Sequence, residues 1–376
     1  EPQREQAPPA PRGARRRGAR RGDTERVLEV WSGSDAFGEI EAYLRERGFF
    51  APGAEELVAD VYFGYGISAG IRRSGAAPPP EPCRLPLAAC RIGPSEVPPA
   101  RPFSIGEWEP TWSEAEYAAA IEGAKEGIAR GDVYQVNLVQ HLSAPFGGDA
   151  RGLATRLAPL RPLHPTPLVG DGWAIVSASP ELFLARRGER LWTMPIKGTR
   201  PLGGAQDLRE SEKDAAEHVM IVDLERNDLS RVCRAGTVRW PELMAERELA
   251  GVAHLVSTVE GRLQADVSLG AILAATFPGG SITGAPKISA IDHIARLEPV
   301  GRGAAMGALG RIQGNGDFEL ALTIRTFAVA DSRIHLWVGG GVVWDSEPDA
   351  EIEESWVKAR PLLARVRAPV REAVGA

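Results

Sequence analysis

The stretch spanning residues 177–201, SASPELFLARRGERLWTMPIKGTRP, constrains this chain more than any other. Ser179-Pro180 starts a turn, because a residue preceding proline is pushed out of the helical region. Leu182, Phe183 and Leu184 then read as a short strand, the charged RRGER as a hairpin tip, and residues 191–194 as the return strand. Such a hairpin leaves Glu181 and Lys197 flanking its open end, where both can face one cleft. The lysine is the more telling of the two. Only five of the 44 Lys and Arg residues are lysines, at positions 125, 197, 213, 287 and 358, so this sequence writes surface positive charge as arginine. A retained lysine points to a need for a primary amine, which guanidinium does not replace. A surface charge or an ion-pair partner is the plainer reading of the same residue.

A chain of 376 residues supports a sizeable core, as one large domain or two. Its hydrophobic content of 43% and charged content of 25% are those of a soluble globular protein. A net charge of -6 argues against general nucleic-acid binding by the body of the protein. Three cysteines, Cys83, Cys90 and Cys233, give an odd count without metal-like spacing, so reduced thiols and a cytoplasmic location are expected. No apolar run reaches the length of about 18 residues that spans a membrane, and residues 1–22 lack the apolar core of a secretory signal. Those residues read as a disordered basic tail. Its RGARRRGARRG could touch RNA, but a solvated extension is the commoner meaning, so nucleic acid is not an expected partner.

Residues 23–102 read as a separate N-terminal region. It contains a helix over 37–47, a strand pair in DVYFGYGISAGIR, and proline-dense linker in GAAPPPEPCRLPLAAC and RIGPSEVPPARP. The signals sharpen over 103–370. Ser113 with Glu116 forms a capping box for a helix that Gly131 ends. GDVYQVNLVQHL alternates as a strand with Gln135 and Asn137 on one face, which lines a cavity or meets solvent. SEKDAAEHVMIVDLERNDLSRV is a helix capped by Ser211. Ala215, Val219 and Val222 share one face, and Glu217 and His218 are candidate ligands. Asp223, Glu225, Arg226 and Asp228 read as surface charges paired with one another. VAHLVSTVEGRL is a strand with His254 in an apolar setting. In FPGGSITGAPK, Ser281 and Thr283 precede a helix starting near Pro286, and free amides at such a start bind anions. GxxxxGK[ST] is absent, so a carboxylate or substrate oxygen is expected rather than a nucleotide. Arg325, in the strand FELALTIRTF, is a guanidinium among apolar neighbours that needs an anion. Gly339, Gly340 and Gly341 break the next strand, RIHLWVGGGVVWDS, and permit close approach by a ligand. On the last helix Glu351, Glu354 and Lys358 share a face. With Glu217 the two carboxylates could hold a hard divalent cation, most readily Mg²⁺, although charged helices commonly show this spacing.

In this order the motifs GDVYQVNL, SASPELF, PIKGTRP, AEHVMIVDLERNDLSRV, FPGGSITGAPK, LTIRTF and GGGVVWDS resemble those of the chorismate-utilising enzymes. That family comprises anthranilate synthase large subunits, aminodeoxychorismate synthase component I, and the isochorismate and salicylate synthases. The resemblance runs from about Trp112 to Arg365 and implies that the N-terminal region over 23–102 is shortened. It implies a large two-sheet α/β sandwich of the anthranilate synthase component I type, with the site between the sheets. Anthranilate, isochorismate and salicylate synthases typically carry Ala in PIAGT, whereas aminodeoxychorismate synthases of the nucleophile type carry Lys, as Lys197 does here. The resemblance therefore implies amination of chorismate toward p-aminobenzoate and folate, with Lys197 attacking ring carbon C2 and Glu181 protonating the departing C4 hydroxyl. Anthranilate or isochorismate synthesis, or a non-catalytic chorismate-binding subunit, are the alternatives. By the same resemblance Thr199 and His254 line the ring. Arg325, the Gly339, Gly340 and Gly341 amides and Lys358 hold the carboxylates, and Glu217, Glu351 and Glu354 hold Mg²⁺. Ammonia comes from a separate glutamine amidotransferase subunit, since no glutaminase signature is present here. Arg311 stands where the family usually has a Tyr that contacts the enolpyruvyl group.

Overall fold

The computed structural model describes residues 27–367 apart from 34, 95–98, 100, 202–211 and 250–251, so the basic tail over 1–22 and the capping Ser211 lie outside the described residues. Two antiparallel sheets form the molecule, giving the expected α/β sandwich. Among the described residues the first sheet has ten strands, in the order Leu28–Val30, Ala88–Ile92, Val58–Phe63, Ala308–Gln313, Phe318–Leu322, Leu182–Arg187, Arg190–Met194, Val252–Arg262 and Ile196–Pro201, with Arg239–Leu249 also paired to Val252–Arg262. The second has eight: Gly284–Ala285, Gln135–Gly148, Arg333–Val342, Thr326–Ala330, Trp173–Ser177 and Leu168–Val169, with Phe103–Ile105 and Glu109–Pro110 against Gln135–Gly148. The larger apolar core draws on both sheets, through Tyr62, Phe63, Leu184 and Leu320 from one and Val136 and Trp337 from the other. A second core, with Leu142, Phe327 and Leu362, lies under the helix Pro348–Arg367.

The hairpin forms as its sequence predicts. Leu182–Arg187 pairs with Arg190–Met194 across Gly188, whose φ of 56° suits a residue without a side chain. Ser113 caps the helix Glu114–Ala129, with Glu116 returning the bond to the Ser113 amide at 2.7 Å.

Four local expectations fail. The second half of DVYFGYGISAGIR is a 3-10 helix, Tyr65–Ile71, rather than a strand. Ala88–Ile92, inside the supposed linker, is a strand inserted between Leu28–Val30 and Val58–Phe63, so the N-terminal region is built into the first sheet. The glycine triplet does not interrupt its strand: Arg333–Val342 is continuous because Gln135–Gly148 pairs with it throughout. Val219 is exposed. The inward face of the helix Glu212–Ser230 instead carries His218, Ile221, Val222, Glu225, Asp228 and Leu229.

The fifth departure makes the site. FELALTIRTF is two strands in different sheets, Phe318–Leu322 in the first and Thr326–Ala330 in the second, with Arg325 at the crossing in a left-handed conformation, φ 49°. A second crossing, from Trp173–Ser177 to Leu182–Arg187, runs beside it in the opposite direction. Two hydrogen bonds join them: Leu322 N–H to Glu181 O and Ala178 N–H to Arg325 O, both 3.0 Å. Glu181 and Arg325 are thus held together where the chain passes from sheet to sheet. No helix among the described residues is long and apolar enough to cross a membrane.

Candidate active site

Glu181 is buried at the second of these crossings, between Trp173–Ser177 and Leu182–Arg187. Its carboxylate accepts the Ser281 hydroxyl at 2.8 Å and the Ile196 amide. Burial nevertheless raises its pKa above the ordinary carboxylate value, against the opposing effects of Ser281, Lys197 and Arg325. A carboxyl that retains its proton in this way is equipped to act as a general acid. The PGGS turn that brings Ser281 here is the glycine-rich segment read as an anion-binding start. Its other candidate, Thr283, is fully buried and donates its hydroxyl to Gly279 O at 2.8 Å, so that group closes the turn.

Lys197 lies on the strand Ile196–Pro201, opposite Leu255, only 15% exposed. Its amine is within the electrostatic reach of Glu181 and lies 4.0 Å from Glu217 Oε2. The two residues that flank the hairpin therefore lie within electrostatic reach of each other. His218, one position beyond Glu217, is fully buried and bonds through Nε2 to Ser257 Oγ at 2.5 Å; burial and the Lys197 charge lower its pKa to about 4. It is a neutral neighbour of Lys197 at working pH. Thr199 and His254 lie on the two strands paired here, Ile196–Pro201 and Val252–Arg262, but their side chains are outside those described.

Arg325 has no carboxylate within ion-pair distance among the described residues. Burial lowers its pKa, with Glu181 partly offsetting this. A desolvated guanidinium without a partner is a receptor for an anion. By register it falls beside the glycine triplet. Thr326–Ala330 pairs with Arg333–Val342 only as far as Phe327 opposite Leu336, so beyond Leu336 that strand has one edge unpaired. On its other edge, Gly339 and Gly341 face Gln135–Gly148 so closely that a Cβ would overlap the Leu138 carbonyl or the Gln135 amide. Gln135 is 1% exposed and both polar atoms of its side chain lack a hydrogen-bond partner, as does Asn137 Oδ1. The polar strand face read from the sequence is therefore buried and unsatisfied, which favours the cavity over the solvent reading.

A Cβ placed on Gly340 would sit 3.3 Å from Glu354, 3.4 Å from Glu351 and 3.5 Å from Lys358 Nζ. Lys358 donates to Gly339 O at 2.8 Å and to Glu354 at 2.6 Å, while Ser346 donates to Glu351 at 2.6 Å. Glu351 and Glu354 thus offer converging hard oxygens of the kind Mg²⁺ takes. Glu217 does not join them. It faces Lys197, and among the described residues no group of three or more His, Cys, Asp or Glu side chains comes together to hold an ion.

Two further residues change status. Arg311 points to the buried Asp60, Nε–Oδ1 3.2 Å, beside Arg91 and His164. Glu225, read as a surface charge, is buried, accepts the Thr193 hydroxyl at 3.2 Å, and has its pKa raised to about 8 by burial and by the charge of Glu181. Its spacing from His218, Ile221 and Val222 was the signal, since positions 3, 4 and 7 apart share one helix face.

A family model for chorismate binding enzymes matches residues 73–364. The chain is 40% identical over 273 residues to anthranilate synthase component 1 of Streptomyces coelicolor, covering 69% of this chain and 53% of that protein. It is 39% identical over 271 residues to aminodeoxychorismate synthase component 1 of Bacillus subtilis, covering 69% and 57%. It spans a little over half the length of these curated relatives. The crystal structure of anthranilate synthase component I from Streptococcus pneumoniae superposes with a TM-score of 0.77 at 25% identity, over 85% of this chain and 84% of that one. With a family match across most of its length and the same two-sheet fold, the chain belongs to the chorismate binding enzymes.

Proposed function

We propose that the protein is an aminodeoxychorismate synthase component I, which converts chorismate and ammonia into 4-amino-4-deoxychorismate through a covalent lysine intermediate. The observation that carries this reading is that Lys197, a largely buried amine, lies within electrostatic reach of the buried acid Glu181. A family member that lacks an amine at this position has no nucleophile to offer there.

Arg325 and the open edge of the glycine strand receive the substrate carboxylates, with Lys358 fixing the backbone at Gly339. The Lys197 amine attacks ring carbon C2 while Glu181 delivers its proton to the C4 hydroxyl, which leaves as water. Ammonia then adds at C4 and expels the lysine. Glu351 and Glu354 would hold Mg²⁺, which would neutralise carboxylate charge. Because relatives of both names are called component 1, we further propose that a glutamine amidotransferase subunit supplies the ammonia.

Anthranilate synthesis is the second reading, favoured by a relative of that name at 40% identity. Mass spectrometry of the product formed from chorismate, Mg²⁺ and ammonium separates the two: aminodeoxychorismate is expected, and anthranilate or isochorismate would overturn the proposal. Lys197→Ala is expected to abolish a trapped enzyme–substrate adduct. Persistence of that adduct would remove lysine from the mechanism.

A further inference from the structure

A buried hydroxyl is costly unless its hydrogen finds an acceptor. The two crossings nevertheless bury Ser177, Ser179 and Thr326, each at most 4% exposed. Ser177 and Thr326 stand directly opposite one another on adjacent strands of the second sheet. Thr326 donates its hydroxyl to Ile324 O at 2.9 Å, and a hydroxyl has a single hydrogen to give. In the 2.8 Å contact between Ser177 Oγ and Thr326 Oγ1, Ser177 is therefore the donor. Ser177 Oγ in turn accepts the Ser179 amide at 3.1 Å, and Ser179 Oγ accepts the Glu181 amide at 3.3 Å. Every bond in this chain runs the same way, from the peptide N–H of Glu181 to the carbonyl that precedes Arg325. The carbonyl of Arg325 itself accepts the Ala178 amide at 3.0 Å. Both peptide groups on either side of the left-handed Arg325, φ 49°, are thus bonded at the crossings.

We infer that Ser177 and Thr326 are positioning residues for the reaction at this site, their paired hydroxyls fixing the acid Glu181 and the anion receptor Arg325 relative to one another. This rests on the reading of Glu181 as the acid and Arg325 as the receptor of a substrate carboxylate. Neither hydroxyl touches the substrate in this role. Thr326 acts through the Ile324 carbonyl on the turn that aims the Arg325 guanidinium. Ser177 acts through the Ser179 amide on the turn that presents Glu181. The strand Thr326–Ala330 reads TFAVA, so a valine at its first position would serve the strand equally well. What the hydroxyl adds is the bond to Ile324 O and the link to Ser177.

The test is the steady-state rate of chorismate consumption in the wild type, Thr326→Val, Thr326→Ser, Ser177→Ala and the double variant Ser177→Ala with Thr326→Val, at a temperature where circular dichroism shows each folded. Thr326→Val is expected to raise KM about fivefold and to leave kcat within about twofold, since the bond lost is on the receptor's side. Thr326→Ser keeps the hydroxyl and should hold KM within about twofold of the wild type. Ser177→Ala is expected to do the reverse, lowering kcat about fivefold with KM within about twofold, since the Ser179 amide beside the acid loses its acceptor. Both single variants break the Ser177–Thr326 bond, so the double variant should lower kcat/KM by less than the product of the two. A pair that only stabilises the fold would lower the melting temperature and leave KM and kcat of the folded enzyme unmoved, which overturns the inference. So would Thr326→Ser behaving like Thr326→Val, or a double variant whose loss equals the full product. If Thr326→Val does not fold, Ser177→Ala decides, and an unmoved kcat there overturns the inference. Chorismate consumption is followed whatever the product, so a product other than aminodeoxychorismate would defeat the proposed function while the same kinetic pattern still upholds the hydroxyl pair.

Discussion

Arg302 and Glu298 form an ion pair whose side chains are 1% and 2% exposed, and the site hangs from it. Arg302 donates to both Glu298 oxygens at 2.7 and 2.9 Å, to Ile282 O at 3.0 Å and to Asn137 O at 2.6 Å, while Glu298 accepts the Val139 amide at 3.0 Å. The PGGS turn and the strand carrying Gln135 and Asn137 are thereby tied to one guanidinium. Arg302→Met would strand a buried carboxylate, for which breaking a buried pair costs about 3–5 kcal/mol. Two carbonyls also lose a charged donor, worth about 1.5–3 kcal/mol each in isolation but not additive with the pair. The expected loss is therefore at or above about 4 kcal/mol, a large part of the roughly 5–15 kcal/mol that holds a domain folded. The double variant Arg302→Met with Glu298→Leu removes the stranded charge and leaves only unsatisfied backbone groups, so it should recover about 2 kcal/mol of that loss. Urea titration with an unchanged slope measures both. The reasoning is refuted if the single variant loses less than about 1 kcal/mol, or if the double variant is less stable than the single. At temperatures where the single variant stays folded, KM for chorismate should rise more than kcat falls, because the receptor strand and not the acid has been loosened.

Other consequences can be checked separately. Ser281→Ala removes a donor that favours ionised Glu181, so the alkaline limb of kcat/KM should rise by about one pH unit; a downward shift would contradict the hydrogen bond's role. Gly341→Ala should cost about 1–3 kcal/mol by thermal unfolding, since its Cβ overlaps the Gln135 amide, whereas Gly340→Ala should cost less than about 1 kcal/mol yet weaken chorismate binding. In the folded state Glu225 keeps its proton to about pH 8, well above the ordinary carboxylate range. Between pH 4.5 and about 8 the native state thus binds the extra proton, and wild-type stability should fall relative to Glu225→Gln as pH rises, with a slope of at most about 1.4 kcal/mol per pH unit by urea titration.

Much of the site was legible because turn chemistry is local. Ser179-Pro180 and the RRGER tip specify the hairpin within a few residues, and the hairpin puts Glu181 and Lys197 at one opening. The capping box at Ser113 is equally local. What failed depended on partners far away in the chain. Ala88–Ile92 is a strand because Leu28–Val30 and Val58–Phe63 flank it, although the prolines around it signal a loop. Glu225 looked solvated because Asp223 and Arg226 beside it are indeed a surface pair, bonded at 2.6 Å; the Thr193 hydroxyl that meets it comes from a strand 32 residues earlier.

Arg325 shows where local reading stops. FELALTIRTF alternates well enough to pass as one strand, and on one strand Arg325 would be a cation in a ladder. The φ of 49° at that residue turns the chain out of the first sheet and into the second. The same turn ends the pairing of Thr326–Ala330 before the glycine triplet, leaving that strand's edge open. The position of the Arg325 guanidinium and the uncovered backbone beside it therefore have one cause. A backbone reversal at a non-glycine residue is costly, and here the antiparallel crossing through Ala178 and Glu181 holds it in place. Arg325→Gly should preserve that crossing while removing the guanidinium, so native hydrogen exchange at Ala178 and Leu322 is expected to stay slow as chorismate binding is lost. Rapid exchange at both amides would mean that the arginine side chain, rather than the paired crossings, holds the two sheets in register.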